Sequence, residues 1–151
     1  MVAIVRAEDL EEQFPIVQWD SDAIDAARMI AEHSLPGVVV ADASNKPCAV
    51  ILASEVLPFI LPRYVQDDIT LAGVLGDALA DHAEENLAGK TVGDVLPRQP
   101  RKVPCVDASA GMIKVAAEMA QQRSPLIAVT KNGKLQGVIT ASRLLAAALK
   151  S

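Results

Sequence analysis

The feature that most constrains this chain is that it says the same thing twice. Lys134-Leu135-Gln136-Gly137-Val138-Ile139-Thr140-Ala141-Ser142-Arg143-Leu144-Leu145 repeats Lys46-Pro47-Cys48-Ala49-Val50-Ile51-Leu52-Ala53-Ser54-Glu55-Val56-Leu57 at a spacing of 88. The two share the Lys, Val-Ile, Ala-Ser and final Leu, with apolar residues aligned between them. Upstream the spacing becomes 89: Pro15-Ile16-Val17 falls on Pro104-Cys105-Val106, Ile24 on Ile113, Ala26-Ala27 on Val115-Ala116, Ile30-Ala31 on Met119-Ala120 and Pro36 on Pro125. The first copy therefore holds one extra residue between Pro36 and Cys48, where Asp42-Ala43-Ser44-Asn45 reads as a turn. A fold built from two equivalent units is required.

The 151 residues suffice for one domain or two small ones. They are 51% hydrophobic with few aromatics, so Ala, Val, Ile and Leu must fill the core. No apolar run is long enough to span a bilayer and no leader pattern precedes the body, so a soluble, cytoplasmic protein without direct membrane insertion is expected. Cys48 and Cys105 lack metal-ligand spacing and read as reduced, partly buried thiols.

Each unit reads β-α-β-β-α. In the first, Phe14 to Val17 is extended, and Asp20 or Ser21 can cap a helix running to His33 with Ile24, Ala27, Ile30 and Ala31 on its buried stripe. Gly37 to Ala41 and Cys48 to Leu52 are strands, and Ser54 opens a short helix toward Leu61. In the second, Ser109 can cap a helix carrying Met112, Ile113, Ala116, Met119 and Ala120 inward. Leu126 to Thr130 and Gln136 to Ile139 are strands joined at Asn132-Gly133, residues that tolerate the positive φ of a type I′ turn. The last helix covers Ser142 to about Leu149. Residues 1–13 read as a loop or short helix docking onto the body. The domain organisation is a first repeat with its lead-in over 1–62, a helical insertion or linker over 63–90, and a second repeat over 91–151. The insertion has an amphipathic stripe of Leu71, Val74, Leu75, Ala78 and Leu79, closed by Gly89.

Charge separates the halves. Residues 1–96 hold 5 Lys/Arg against 17 Asp/Glu, and residues 97–151 hold 9 against 2. An anion is better served by the second copy. There Thr140 stands where a strand meets the last helix, whose first N–H groups lack intrahelical partners and favour negative charge. Thr140 can cap that helix or donate to a phosphate oxygen, with Arg143 and Arg123 adding charge.

The duplicated unit, the strand start Ser124-Pro125-Leu126-Ile127 and above all Gly137-Val138-Ile139-Thr140-Ala141-Ser142-Arg143 resemble the CBS (cystathionine β-synthase) domain, which occurs in tandem pairs. Val92-Gly93-Asp94-Val95-Leu96 is similar to that family's lead-in. The resemblance implies an α/β (α+β) pair of pseudo-twofold-related repeats, standing alone without an attached enzyme or transporter domain and often dimerising into a flat disc. It also implies clefts that take AMP, ADP, ATP or S-adenosylmethionine as effectors, with no required cofactor. In the family motif the Thr contacts phosphate and an Asp three residues on accepts from ribose. Thr140 matches, but Arg143 stands at the Asp position and cannot accept a hydrogen bond. In the first copy Glu55 can accept, but Leu52 replaces the Thr. The expected ligand residues are Thr140, Arg143, Arg123, Ser124, Leu126, Ile127 and Val106 in the second cleft, and Glu55, Val17, Val38 and Val39 in the first.

Other chemistries are disfavoured. Gly89-Lys90-Thr91 lacks the first glycine of a phosphate-binding loop, since Glu84 stands there. His33 and His82 have no metal-binding partner at helical spacing, and no nucleophile elbow surrounds Ser54 or Ser142. Acidic charge argues against nucleic acid. The expectation is a non-catalytic regulatory module that senses an adenosine nucleotide or related phosphate ligand, forms a homodimer and acts on a separate protein. In that dimer the acidic repeat faces the basic one, head to tail. The competing expectation is a ligand-free interaction or scaffold module.

Overall fold

The computed structural model describes residues 5–60, 85–96 and 99–149. Its elements, in chain order, are α1 (Ala7–Leu10), β1 (Ile16–Val17), α2 (Ala23–Glu32), β2 (Gly37–Ala41), β3 (Pro47–Leu52), α3 (Ala53–Val56) with a 3₁₀ turn over Leu57–Ile60, and α4 (Val92–Val95). They continue with β4 (Cys105–Asp107), α5 (Met112–Gln122), β5 (Leu126–Lys131), β6 (Lys134–Thr140) and α6 (Ala141–Leu149). The stripe of Leu71 to Leu79 expected to be helical lies outside the described residues. Glu85 to Leu87 is helical, and Gly89 follows at φ +74°, where a glycine ends a helix without strain.

Two three-stranded sheets of identical topology result, ordered β1-β2-β3 and β4-β5-β6, the first pair in each parallel and the second antiparallel. Their registers obey the sequence repeat. Ile16 pairs Val39 as Cys105 pairs Ala128, and Gly37 pairs Leu52 as Leu126 pairs Thr140. Each antiparallel pair has its irregularity at the same place, Val40/Ala41 and Val129/Thr130. The extra residue of the first copy falls in the β2–β3 turn. Asn132 and Gly133 take φ of +56° and +79°, as the type I′ reading requires. In the longer first turn Asn45 adopts φ +61° and reaches the other half, its carbonyl accepting from Leu135 N–H at 2.8 Å and its Nδ2 donating to Leu135 O at 3.2 Å.

The central strands are apolar without alternation because both faces are covered. Val38, Val40, Ala49 and Ile51 face α2, while Val39 and Val50 face the other sheet. Ile127, Val129 and Ile139 face the helices of the second half, while Leu126, Ala128 and Val138 meet the first sheet. Each fully buried Val, Leu or Ile contributes about 1.5–3 kcal/mol against exposure. The middle layer, completed by Val103 and Leu135, therefore joins the halves through a core of their own.

The segment preceding each repeat packs on the other half. α1 places Ala7 and Leu10 in the core of the second half, and α4 places Val92 and Val95, with Leu87, in the core of the first. The exchange is symmetric: Arg6 bridges Gly111 as Thr91 bridges Asp22. Each repeat leaves one end of its helix layer open, and the segment preceding the other repeat fills it. Helix starts also differ from expectation. α2 begins after Asp22 and α5 after Gly111, because Ser21 Oγ accepts from Gln18 N–H and Ser109 bonds Asp107. Ala31, Ile113, Ala116 and Ala120, expected on buried stripes, are exposed, the inward positions of α5 being taken by Val115 and Met119, and Cys105 is exposed while Cys48 is half-buried.

Candidate functional site

The chain start beyond α1 runs along the free edge of β6. Glu12 N–H donates to Val138 O at 2.8 Å and Val138 N–H donates back to Glu12 O at 3.0 Å. Gln13 Nε2 donates to Gln136 O at 3.1 Å, and Gln136 Nε2 donates to Glu11 Oε1 at 2.6 Å. Gly137 makes this approach possible: a Cβ there would stand 2.9 Å from Glu11 Cβ and 3.0 Å from Glu11 Oε2. The glycine of the Gly-Val-Ile-Thr run thus admits a neighbouring strand.

This segment brings Glu12 and Phe14 to the start of α6, opposite the corner between α2 and β2. The hollow so formed, about 350 Å³, is lined by Glu12, Phe14, His33, Ser34, Leu35, Pro36, Thr140, Ser142 and Arg143. It continues into a second hollow reaching Gln13 and Pro15. Each half contributes one wall. Ser34 ends the α2 turn at φ +52°, and its repeat equivalent Arg123 takes φ +51° at the end of α5.

Thr140 occupies the helix start as expected. Its Oγ1 accepts from Arg143 N–H at 3.2 Å, a capping bond, and lies 3.3 Å from Ser142 Oγ. Arg143 is not an idle cation: its Nε donates to Leu10 O at 3.0 Å and stands 3.3 Å from Glu12 Oε1. With side chains 46% and 44% exposed, that ion pair contributes at most about 1 kcal/mol to stability. Its larger consequence is local, because a carboxylate at this range cancels much of the guanidinium's field in the hollow.

Of the residues expected in the second cleft, the structure brings together Thr140 and Arg143 only. Arg123, Ser124, Leu126, Ile127 and Val106 do not line it, because the wall opposite α6 comes from the other repeat. Ser124 is buried and donates to Leu126 O at 2.6 Å; Leu126 lies between the sheets, and Ile127 and Val106 face the second half's helices. In the first copy Val17 and Val38 are core beneath α2, Val39 lies between the sheets, and Leu52 packs on that central layer. Glu55 Oε1 accepts from Leu52 N–H at 3.1 Å and lies 3.9 Å from Arg101 Nε. Glu12, Phe14, His33 and Ser34 had no motif to mark them. The available signal was Glu12 standing 89 residues before Arg101, with the opposite charge.

Among the described residues no three His, Cys, Asp or Glu side chains are grouped to hold a metal, and no helix is long and apolar enough to cross a membrane. A further, apolar hollow of about 340 Å³ lies over α2 and α3, lined in part by Ile24, Ala27, Ala31 and Leu57.

The family model for the CBS domain matches residues 92–150. A CBS domain-containing protein from Kribbella flavida is 45% identical, with a TM-score of 0.88 over 97% of this chain and 99% of its own. CBSX2 from Arabidopsis thaliana is 18% identical, with a TM-score of 0.71 over 98% and 96%. CBSX2 in complex with AMP is 19% identical, with a TM-score of 0.68 over 96% and 97%. Among the curated proteins nothing matches.

Proposed function

The chain belongs to the CBS domain family, and on that premise we propose that it is a regulatory module whose Thr140 hollow takes an adenosine nucleotide or a related phosphate ligand. The observation that carries this reading is that one hollow is walled by both repeats, the α2–β2 corner on one side and the α6 start on the other. Phe14, Leu35 and Pro36 supply apolar surface for a base. Thr140, Ser142 and the first turn of α6 supply donors for an anion. The structural neighbour solved with AMP supports this ligand class. A ligand touching both walls favours one placement of the repeats, and a separate protein that reads the placement feels the difference in affinity.

A melting series with AMP, ADP, ATP, S-adenosylmethionine and inorganic phosphate tests this on wild type and Thr140→Ala, each compared with its own ligand-free melt. At about a hundredfold excess over Kd, stabilisation of roughly 2.7 kcal/mol is expected. It should fall sharply in Thr140→Ala. Folded protein that shifts with none of them overturns the sensor reading in favour of an interaction module. The first cleft favours that second reading, because Leu52 packs on the central layer and Glu55 is engaged by the Leu52 amide.

The helical faces support a homodimer. Ile113, Leu145 and Leu149 are 87%, 58% and 78% exposed on the basic half, and the apolar hollow of α2 and α3 lies on the acidic half. We infer that a second copy packs with its acidic half on the basic half of the first, as the charge separation favours. Cross-links joining α5 of one copy to α2 of its partner are expected. Links joining like helices overturn the head-to-tail arrangement.

A further inference from the structure

The anion site of the hollow is already faced by an anion. We propose that Glu12 is an internal counter-anion that sets the charge selectivity of the cleft, so that a ligand's phosphate competes with the chain start for Arg143. The inference rests on the reading of the Thr140 hollow as a ligand site and specifies how that site is controlled.

Three observations carry it. Glu12 and Arg143 line the same hollow as Thr140 and Ser142, and Glu12 Oε1 stands 3.3 Å from Arg143 Nε. A phosphate close enough to use the guanidinium also meets the carboxylate, and two anions at that range repel unless one moves. Second, the carboxylate arrives on a short segment laid along the β6 edge, held there by the backbone pair of Glu12 with Val138 and the side chains of Gln13 and Gln136, between Leu10 and Phe14 packed at its two ends. Third, that segment is held at a cost. Glu11 Oε2 is buried against Gly137 with no hydrogen-bond partner, a penalty that is relieved when the segment lifts. Ligand charge is thereby coupled to the position of the chain start, and α1 carries that position into the core of the second half through Ala7 and Leu10. An uncharged nucleoside does not contest Arg143 and leaves the segment in place.

Calorimetric titration of inorganic phosphate, AMP and adenosine into wild type, Glu12→Gln and Glu12→Gln/Arg143→Ala decides the matter. Glu12→Gln keeps the backbone pair with Val138, and Glu12→Ala serves as a second variant with no side-chain bond to Arg143. Phosphate and AMP are expected to bind both single variants about twofold to fivefold more tightly than wild type, adenosine equally, and the gain to vanish without Arg143. Tighter phosphate binding by the variants with no AMP binding at all supports the counter-anion and removes the nucleotide reading. Unchanged or weaker phosphate and AMP binding in the variants, with AMP still bound by wild type, overturns the counter-anion and leaves the nucleotide reading standing. No binding of any probe by any of the folded proteins overturns both.

Discussion

The two halves of this molecule place an ion pair at the same position with the charges exchanged. In the second half Glu12, on the segment beside β6, meets Arg143 in the first turn of α6. In the first half Arg101, whose carbonyl accepts from Val50 N–H at 3.1 Å beside β3, meets Glu55 in the first turn of α3. The repeat spacing of 89 relates Glu12 to Arg101, and 88 relates Glu55 to Arg143. The helix starts exchange roles in step. Glu55 reaches back to the Leu52 amide, so an apolar residue is tolerated at the cap; Arg143 has no acceptor, and Thr140 caps the helix itself. With Leu52 for Thr and Arg143 for Asp, each helix start thus keeps one side-chain bond, to the Leu52 amide in one half and to the Arg143 amide in the other. A polar side chain is committed at each of these two helix starts, and whichever residue is so committed is less available to a ligand.

The comparison can be pressed hardest at two glycines that the repeats do not share. Gly37 corresponds to Leu126, and a Cβ there would clash with the Ile51 carbonyl oxygen, a backbone atom that cannot turn away. Gly37→Ala is expected to destabilise by about 3 kcal/mol in urea unfolding. By the repeat spacing Gly137 corresponds to Ala49, and Glu11 to Pro100. Gly137→Ala first meets Glu11, whose Cβ at 2.9 Å can yield only if the edge segment itself shifts, and a smaller loss of about 1 kcal/mol is expected, with faster hydrogen exchange at the Glu12 amide. Equal losses at the two glycines would break the distinction between a pinched sheet corner and an edge that admits the chain start.

The smallest effect is expected at low pH. Asp94 accepts from the Thr91 backbone and Asp107 from the Ser109 side chain, and both carboxyls are held below the ordinary value of 3.8. A carboxylate lowered by folding stabilises the protein above its unfolded pKa, and that contribution is lost as pH falls through the folded pKa. The melting temperature should therefore decline as pH drops below about 3.8, and Asp94→Asn and Asp107→Asn should each flatten the decline. The Asp94 effect belongs to the lead-in packed on the first half and the Asp107 effect to a strand end of the second. An acid limb untouched by either change would remove both bonds from the account.

Much of this architecture is local and therefore legible in the sequence. The repeat spacing determined both sheet registers, because residues at fixed offsets from a hairpin must pair with equivalent partners. The one-residue insertion was confined to a turn, where added length leaves the ladder intact. Unbroken apolar runs such as Gly37 to Ala41 announced strands covered on both faces. The site was legible only at Thr140 and Arg143, which lie within one strand–helix junction. Its other wall comes from His33 to Pro36, and its counter-charge from a residue more than a hundred positions away. No local periodicity encodes which segment lies along a free sheet edge or fills the open end of a helix layer. Tertiary packing decided both, crossing the lead-ins between repeats, and so set Glu12 against Arg143.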